Sequence, residues 1–354
     1  MSTYYQFDIL TAYGPCNLNR DDLGRNKSVM IGGTQRGRVS SQSMKRAVRG
    51  SDEFQNAVGE HIGIRTKKLG SDVFDQLVEG GISEKNARDY AREIAGVFGK
   101  LTSVKKEKPR SGLEIEQLAH ISVTEWAAVD KLVKLLITEQ RKPEPDELDL
   151  LRHETESVDI ALHGRMMAGS PGFNVSAACQ VSHPFTVHES RSEIDYFAAN
   201  DDRNCGSEHS GAAHIGEKSF GTGVYYLYVN INKDLLISNL NGDVELANRA
   251  MRAFIEALLT VTPTGMQNSF ASRAHASYVM VRKGKCNQYA IGNAVFTKAI
   301  DKKSNDYMET AISALEAYRA NHDGVYDIYS NDSYTMNVTT GTGRLSELLT
   351  FASE

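Results

Sequence analysis

An α+β fold follows from three features of the sequence. The opening segment from Tyr4 to Tyr13, "YYQFDILTAY", is rich in aromatic and β-branched residues and ends at Gly14-Pro15, as a strand does. From about residue 57 to residue 160 the apolar residues recur at helical spacing. Strand character then returns in "GVYYLYVNI" at 223–231 and "SYVMV" at 277–281.

Residues 14–39, after the first strand, read as a long glycine-containing loop. A helix follows from about Gln42 to Arg49, with Ser40 or Ser41 as its N-cap and Gly50 as its stop. Ser83 caps a helix running to Gly99 with Tyr90, Ile94, Val97 and Phe98 on its apolar side. Ser122 or Thr124 opens another that carries Trp126, Val129, Val133, Leu136 and Ile137. The segment "VKKEKPRSG" between them is a polar connector, and "RKPEPDE" leads into a short helix around residues 146–155. Residues 166–223 are the least regular part, and a stretch of that length in a compact domain is disordered or functional. Asp243 caps a helix to about Leu259, and the tail carries a helix from about Asn305 to Ala320 and a short segment near 344–351. With "EIDYF" at 193–197 extended, the order is strand, helix, strand, strand, helix, strand, with a large helical insertion after the first helix. That is the split βαβ, ferredoxin-like arrangement also used by RNA-recognition-motif proteins.

At 354 residues, with 40% hydrophobic and 24% charged side chains, the chain has the composition of an ordinary globular protein. It lacks an apolar run of membrane-spanning length, and "MSTYYQFDIL" lacks the features of a signal peptide, so a cytoplasmic location and no membrane partner are expected. Cys16, Cys179, Cys205 and Cys286 are far apart and form no CxxC pair, which leaves them as isolated reduced thiols.

Charge is distributed unevenly. Between residues 20 and 49 stand eight cations (Arg20, Arg25, Lys27, Arg36, Arg38, Lys45, Arg46, Arg49) and two acids (Asp21, Asp22), a local +6 in a chain of formal charge −5. A patch of that sign in an acidic protein points to a specific polyanion site. At roughly 100° per residue, Gln42, Lys45, Arg46 and Arg49 share one face of their helix, while Met44, Ala47 and Val48 lie opposite. Ser40, Ser41 and the free amides of the first turn add an anion site at the N-terminus. A merely solvated helix face mixes acids among its bases, whereas no acid occurs here between Asp22 and Asp52. A row of phosphates is therefore the expected partner.

Other chemistries have little support. No GxxxxGKS/T loop is present, and the "GTG" runs at 221–223 and 341–343 lack dinucleotide-binding spacing, which argues against NTPases and dehydrogenases. His183 and His188, or Cys205, His209 and His214, follow no recognised metal-ligand spacing, so no metal and no cofactor are expected. Asp21 and Asp22 are the acids of interest, since a carboxylate beside bound RNA can hold a metal or act as a base.

Five runs carry a family resemblance: "CNLNRDD" at 16–22, "IGGTQRGRVSSQSMKRAVR" at 31–49, "VDIALHGRM" at 158–166, "IDYFAANDD" at 194–202 and "GAAHIGEKSFGTGVYYLYVNIN" at 211–232. In order and content they resemble the backbone subunit of the type I-E CRISPR Cascade complex, the CasC family of the repeat-associated RNA-binding superfamily. The resemblance implies a hand-shaped protein: a ferredoxin-like palm (residues 1–56 and 224–354), helical fingers (57–165), an irregular loop (166–190) and a hairpin thumb (191–223). It implies copies assembled head to tail along a CRISPR guide RNA, beside other Cascade subunits, with the bases left free to pair with target DNA. It makes Arg20, Lys27, Ser40, Gln42, Lys45, Arg46 and Arg49 palm contacts to RNA phosphates and sugars, with Arg38 in the same cluster, and it makes Met166 a wedge against bases. Ala198 and Ile215 fall in the thumb. Three functions thus stand in order: a non-catalytic RNA-binding filament subunit, a metal-dependent endoribonuclease using Asp21 or Asp22, and a stand-alone single-strand binder. The connector "VKKEKPRSGLEIEQLAHI" and the loop "MMAGSPGFNVSAACQVSHPF" depart from the family pattern.

Overall fold

The computed structural model describes residues 2–104, 110–199, 214–285, 288–328 and 332–353. Its strands are β1 (Tyr4–Cys16), β2 (Ser28–Ile31), β3 (Thr34–Gly37), β4 (Ile64–Thr66), β5 (Ala119–Ile121), β6 (Cys179–Val181), β7 (Phe185–Thr186), β8 (Glu193–Ala199), β9 (His214–Asn232), β10 (Tyr278–Gly284) and β11 (Asp332–Asn337). Its α-helices are α1 (Ser41–Arg49), α2 (Asp52–Val58), α3 (Leu69–Glu79), α4 (Glu84–Phe98), α5 (Val123–Glu139), α6 (Val158–His163), α7 (Lys233–Asn239), α8 (Val244–Thr260), α9 (Gln267–Phe270), α10 (Ile291–Val295), α11 (Tyr307–Val325) and α12 (Leu345–Ser353). The chain forms two compact units, one of residues 1–56, 180–231 and 251–354, the other of residues 57–179 and 232–250. Among the described residues no helix is long and apolar enough to cross a membrane.

The first unit is built on a mixed-order sheet, β11-β10-β1-β9-β6, with β7 also pairing β9. β1 runs antiparallel to β10 from Tyr4↔Gly284 to Leu10↔Tyr278. Side chains alternate along a strand, so Gln6, Asp8 and Leu10 face one side and Tyr5, Phe7 and Ile9 the other. All six are buried, which requires cover on both faces. On the Leu10 side, Tyr226, Tyr228, Tyr278 and Met280 pack with Ile291, Phe296, Ala311, Ile312 and Leu315. On the opposite side Met44 of α1 lines a small internal cavity with Tyr13, Tyr225, Leu227 and Leu258.

The Leu10 side also holds a buried polar network. Arg282 donates to Asp8 Oδ2 at 2.9 Å, and the Tyr226 hydroxyl donates to Asp8 Oδ1 at 2.6 Å. The Tyr228 hydroxyl and the Tyr289 amide both donate to Gln6 Oε1, each at 2.9 Å. Buried polar groups cost free energy unless paired, so this network ties β1, β9 and β10 into one register.

The second unit is the helical one. Ser83 caps α4, accepting from the Asn86 amide, and α4 buries Ala87, Ala91, Ile94, Ala95 and Phe98. Ser122, rather than Thr124, caps α5 through a capping box with Glu125, and Val129, Leu132, Val133 and Leu136 point inward. These meet Leu69, Val73 and Leu77 of α3 in a single core, beside the antiparallel ribbon β4·β5.

Four expectations are corrected. Residues 14–39 are not simply a loop: they hold the hairpin β2·β3, paired from Ser28↔Gly37 to Ile31↔Thr34. Its turn is Gly32-Gly33 with φ of 57° and 74°, the left-handed pair that a two-residue hairpin loop demands. The expected helix at 146–155 is only a 3-10 turn, Pro145–Leu148. The Glu125 carboxylate accepts the Arg152 amide at 3.0 Å, so a tertiary bond claims an amide that a longer helix would have used. The extended run at 193–197 forms β8, which pairs the distal half of β9 in a separate hairpin; the sheet neighbours of β9 on that side are β6 and β7. Finally, Arg36 does not belong to the surface cations. Fully buried, it donates to the carbonyls of Thr186 at 2.7 Å and Phe296 at 3.1 Å, and it fastens the β2·β3 hairpin to the core.

Breaking a buried ion pair strands a charge, at a cost of about 3–5 kcal/mol. Arg282→Met is expected to lose about that much stability in urea denaturation, and adding Asp8→Asn should recover part of it. Losses that simply add would contradict a coupled pair.

Candidate nucleic-acid interface

α1 is set by its own sequence. The Ser40 hydroxyl accepts from the Ser43 amide, Met44 and Val48 are buried, and Gly50 closes the helix. Its first turn holds no acid, and Arg46 and Arg49 lie in its last turn, where the helix dipole favours cations. Gln42 and Arg46 are exposed, and Lys45 and Arg49 are half-exposed. Ala47 is not on the buried side as expected; it is half-exposed and lines a groove.

That groove, about 780 Å³, lies between α1 and the loop before β2. Its lining joins Asn19, Arg20, Asp21, Asp22 and Gly24 to Ser43, Arg46, Ala47 and Gly50, with Thr264 and Gly265 completing it. Arg20 and Arg46 therefore face one cavity from two elements. Lys27 and Arg38 are held together by the Arg38 amide, which donates to the Lys27 carbonyl at 2.9 Å. The Lys27 amide in turn donates to Asn19 at 3.0 Å.

The N-terminal amides of α1 are less free than the sequence implies. Ser43 N–H goes to the Ser40 hydroxyl, and Ser41 N–H donates to His183 Nδ1 at 3.0 Å. Arg38 approaches the same His183 nitrogen at 3.3 Å. The Ser40 side chain thus works as a cap, and what α1 presents outward is mainly its cationic side chains.

Asp21 is a turn builder. Its Oδ1 accepts from the amides of Leu23 and Arg25, each at 2.9 Å, and its own amide donates to the Arg25 carbonyl. Asp22 is exposed at the rim. The loop is also fixed from below: Asn17 Nδ2 donates to the Ser219 carbonyl at 2.8 Å and Asn26 Nδ2 to the Cys16 carbonyl at 3.0 Å. Ser219 lies at the root of the β8·β9 hairpin, so loop and hairpin share an anchor.

Ala198 and Ile215 are cross-strand partners on that hairpin. Alternation places them on one face with Ile194 and Tyr196, all exposed to solvent. Met166 belongs to the second unit and is 83% exposed.

His183 and His188 are engaged in local hydrogen bonds. His188 is buried, accepts the Val224 amide at Nε2 and contacts the Glu189 carbonyl at Nδ1, and burial lowers its pKa. Among the described residues no three His, Cys, Asp or Glu side chains gather as a metal site. Cys205, His209 and Cys286 lie outside the described residues.

Sequence reasoning did not find Ser43, Ala47, Thr264 or Gly265. Ser43 had a signal, since it lies one turn before Ala47 and next to the cationic face. Thr264 and Gly265 had none: they reach the groove only through the fold, and a side chain at Gly265 would run into the carbonyls of Asn17 and Leu18.

A mixed α+β chain with a cationic helix laid on its sheet and a solvent-exposed hairpin is the class these features define. The chain belongs to the CT1975-like protein family, which matches it over residues 5–351. It is similar to a chain of the solved structure "CRISPR RNA-guided surveillance complex, pre-nicking", at 26% identity and a TM-score of 0.83, covering 99% of this chain and 100% of that one. It shares its fold with a chain of a second structure, "CRISPR RNA-guided surveillance complex", at 22% identity and a TM-score of 0.61, covering 99% of each. No curated protein matches it.

Lys45 and Arg49 point away from the core, so reversing both charges should spare the fold. Lys45→Glu with Arg49→Glu is expected to keep the circular dichroism spectrum and to abolish retention of guide RNA. Loss of the spectrum would contradict the helix orientation.

Proposed function

We propose that this chain is a guide-RNA-binding backbone subunit of a type I-E-like Cascade surveillance complex in the cytoplasm. The observation that carries the reading is the face shared by Arg20 and Arg46 across one groove, continued by Gln42, Lys45 and Arg49 with no acid on α1's outer side. Side chains of this kind grip phosphates and sugars and read no sequence. Bases held by their backbone remain free to pair with target DNA. Family membership and the likeness to a chain of an RNA-guided surveillance complex support the same reading.

In this reading the first unit is a ferredoxin-like palm, a view supported by the strand order β10-β1-β9-β6. The helical unit serves as fingers and the β8·β9 hairpin as thumb. Copies of the chain assemble head to tail along the RNA with other Cascade subunits; Ala198 and Ile215 of the thumb contact the RNA, and Met166 of the second unit wedges against bases. The chain holds RNA and does not cut it. In support, Asp21 spends one carboxylate oxygen on two backbone amides, a structural role that leaves it poorly placed as a base.

Binding driven by backbone contacts releases counterions. The logarithm of guide-RNA affinity should fall linearly with the logarithm of salt, by about 0.7 per phosphate held, and Lys45→Gln should flatten the slope by about that amount. An affinity that stays level from low to moderate salt would sink the reading. With complementary RNA and Mg²⁺ the assembled complex is expected to leave the RNA whole. A cleavage product that disappears in Asp21→Ala or Asp22→Ala would instead establish an endoribonuclease.

A further inference from the structure

Met166 is the most exposed of the large hydrophobic side chains among the described residues, at 83%. An apolar side chain so displayed loses free energy to water unless something covers it in use, and it is useful only if its place is fixed. Its two neighbours in the chain are both pinned. The Arg165 amide donates to the Val175 carbonyl at 3.0 Å, and the Val175 amide returns a bond to Arg165 at 2.9 Å. The Met167 amide donates to Asn174 Oδ1 at 2.6 Å.

Beneath this bridge lies a buried ion pair. Arg165 and Glu125 meet at 2.6 Å, with side chains 2% and 0% exposed. The guanidinium also donates to the carbonyls of His120, Arg152 and Phe173, each at 3.3 Å. Glu125 is held in its turn by the amides of Ser122 at 2.8 Å and Arg152 at 3.0 Å. Glu125 is the N3 residue of a capping box, so the rigid first turn of α5 sets where Arg165 sits. Burying two charges is a poor source of net stability compared with apolar packing, and the pair's value lies in geometry.

We propose that the Glu125–Arg165 pair is a positioning clamp for Met166, fixing the 165–175 bridge so that Met166 presents a preset apolar wedge. Arg165 touches no RNA in this scheme; it acts through the residue beside it. The proposal rests on the reading of Met166 as a base contact, and its test separates the two.

Amide hydrogen exchange tests the clamp without RNA. Arg165→Lys keeps the charge opposite Glu125 but loses the planar fork that reaches three carbonyls. Exchange at Arg165, Met167 and Val175 should rise about tenfold or more while the α4 and α5 core amides stay protected. Asn174→Ala, on an exposed residue that leaves the ion pair intact, should release Met167 in the same way. The full chain assembled on guide RNA bearing 2-aminopurine then reads base unstacking. Met166→Ala should cut the fluorescence gain, Arg165→Lys should cut it equally, the double variant should be no worse, and the salt dependence should not change. Unchanged exchange in Arg165→Lys and Asn174→Ala overturns the clamp, as does a double variant whose losses multiply. A wild-type signal from Met166→Ala alone would remove the base contact, and with it any positioning role, even if exchange had risen.

Discussion

Holding several like charges close together on α1 and the loop before β2 is a constraint that the scaffold beneath them must meet. Lys45, Arg46 and Arg49 stand on barely two turns of a helix that carries no acid, and Arg20 faces Arg46 across a groove that Asp21 and Asp22 also line. What holds them is underneath. Met44 and Val48 are buried, Ser40 caps the N-terminus, and the last-turn arginines sit at the favourable end of the dipole. In the proposed reading, phosphates laid along that face offset the repulsion among its cations.

The same logic extends outward from α1. The groove's far wall is a short loop whose shape depends on Asp21 closing the turn and on Asn17 and Asn26 tying it to the strand beneath. Asn17 also reaches the root of the β8·β9 hairpin, so the cationic loop and the hairpin share an anchor. Arg36 shows the other use of a cation. Buried and bonded to two carbonyls, it locks the β2·β3 hairpin and offers no side chain at the surface.

Much of this was legible from residues in order. The amphipathic split of α1, the serine caps at Ser83 and Ser122, and the strands at 223–231 and 277–281 are local patterns, and local physics set them. Two of the corrected readings depended on distant partners. Charge counting took Arg36 for a surface cation because its carbonyl partners lie 150 and 260 residues away. The 146–155 segment had helical spacing but lost an amide to Glu125. Gly32-Gly33 is a two-residue hairpin signal, but counting the glycines of residues 14–39 only as loop punctuation passes over it.

The central claim is that RNA lies along the outer face of α1 and the Lys27 loop. Lysine-acetylation footprinting of the full chain with and without guide RNA tests it directly. Lys27 and Lys45 should lose reactivity when RNA binds and regain it at high salt, while Lys302, paired with Glu189 at 2.7 Å, should be unaffected. Equal reactivity of Lys45 in the free and bound states would place the RNA elsewhere and contradict the account.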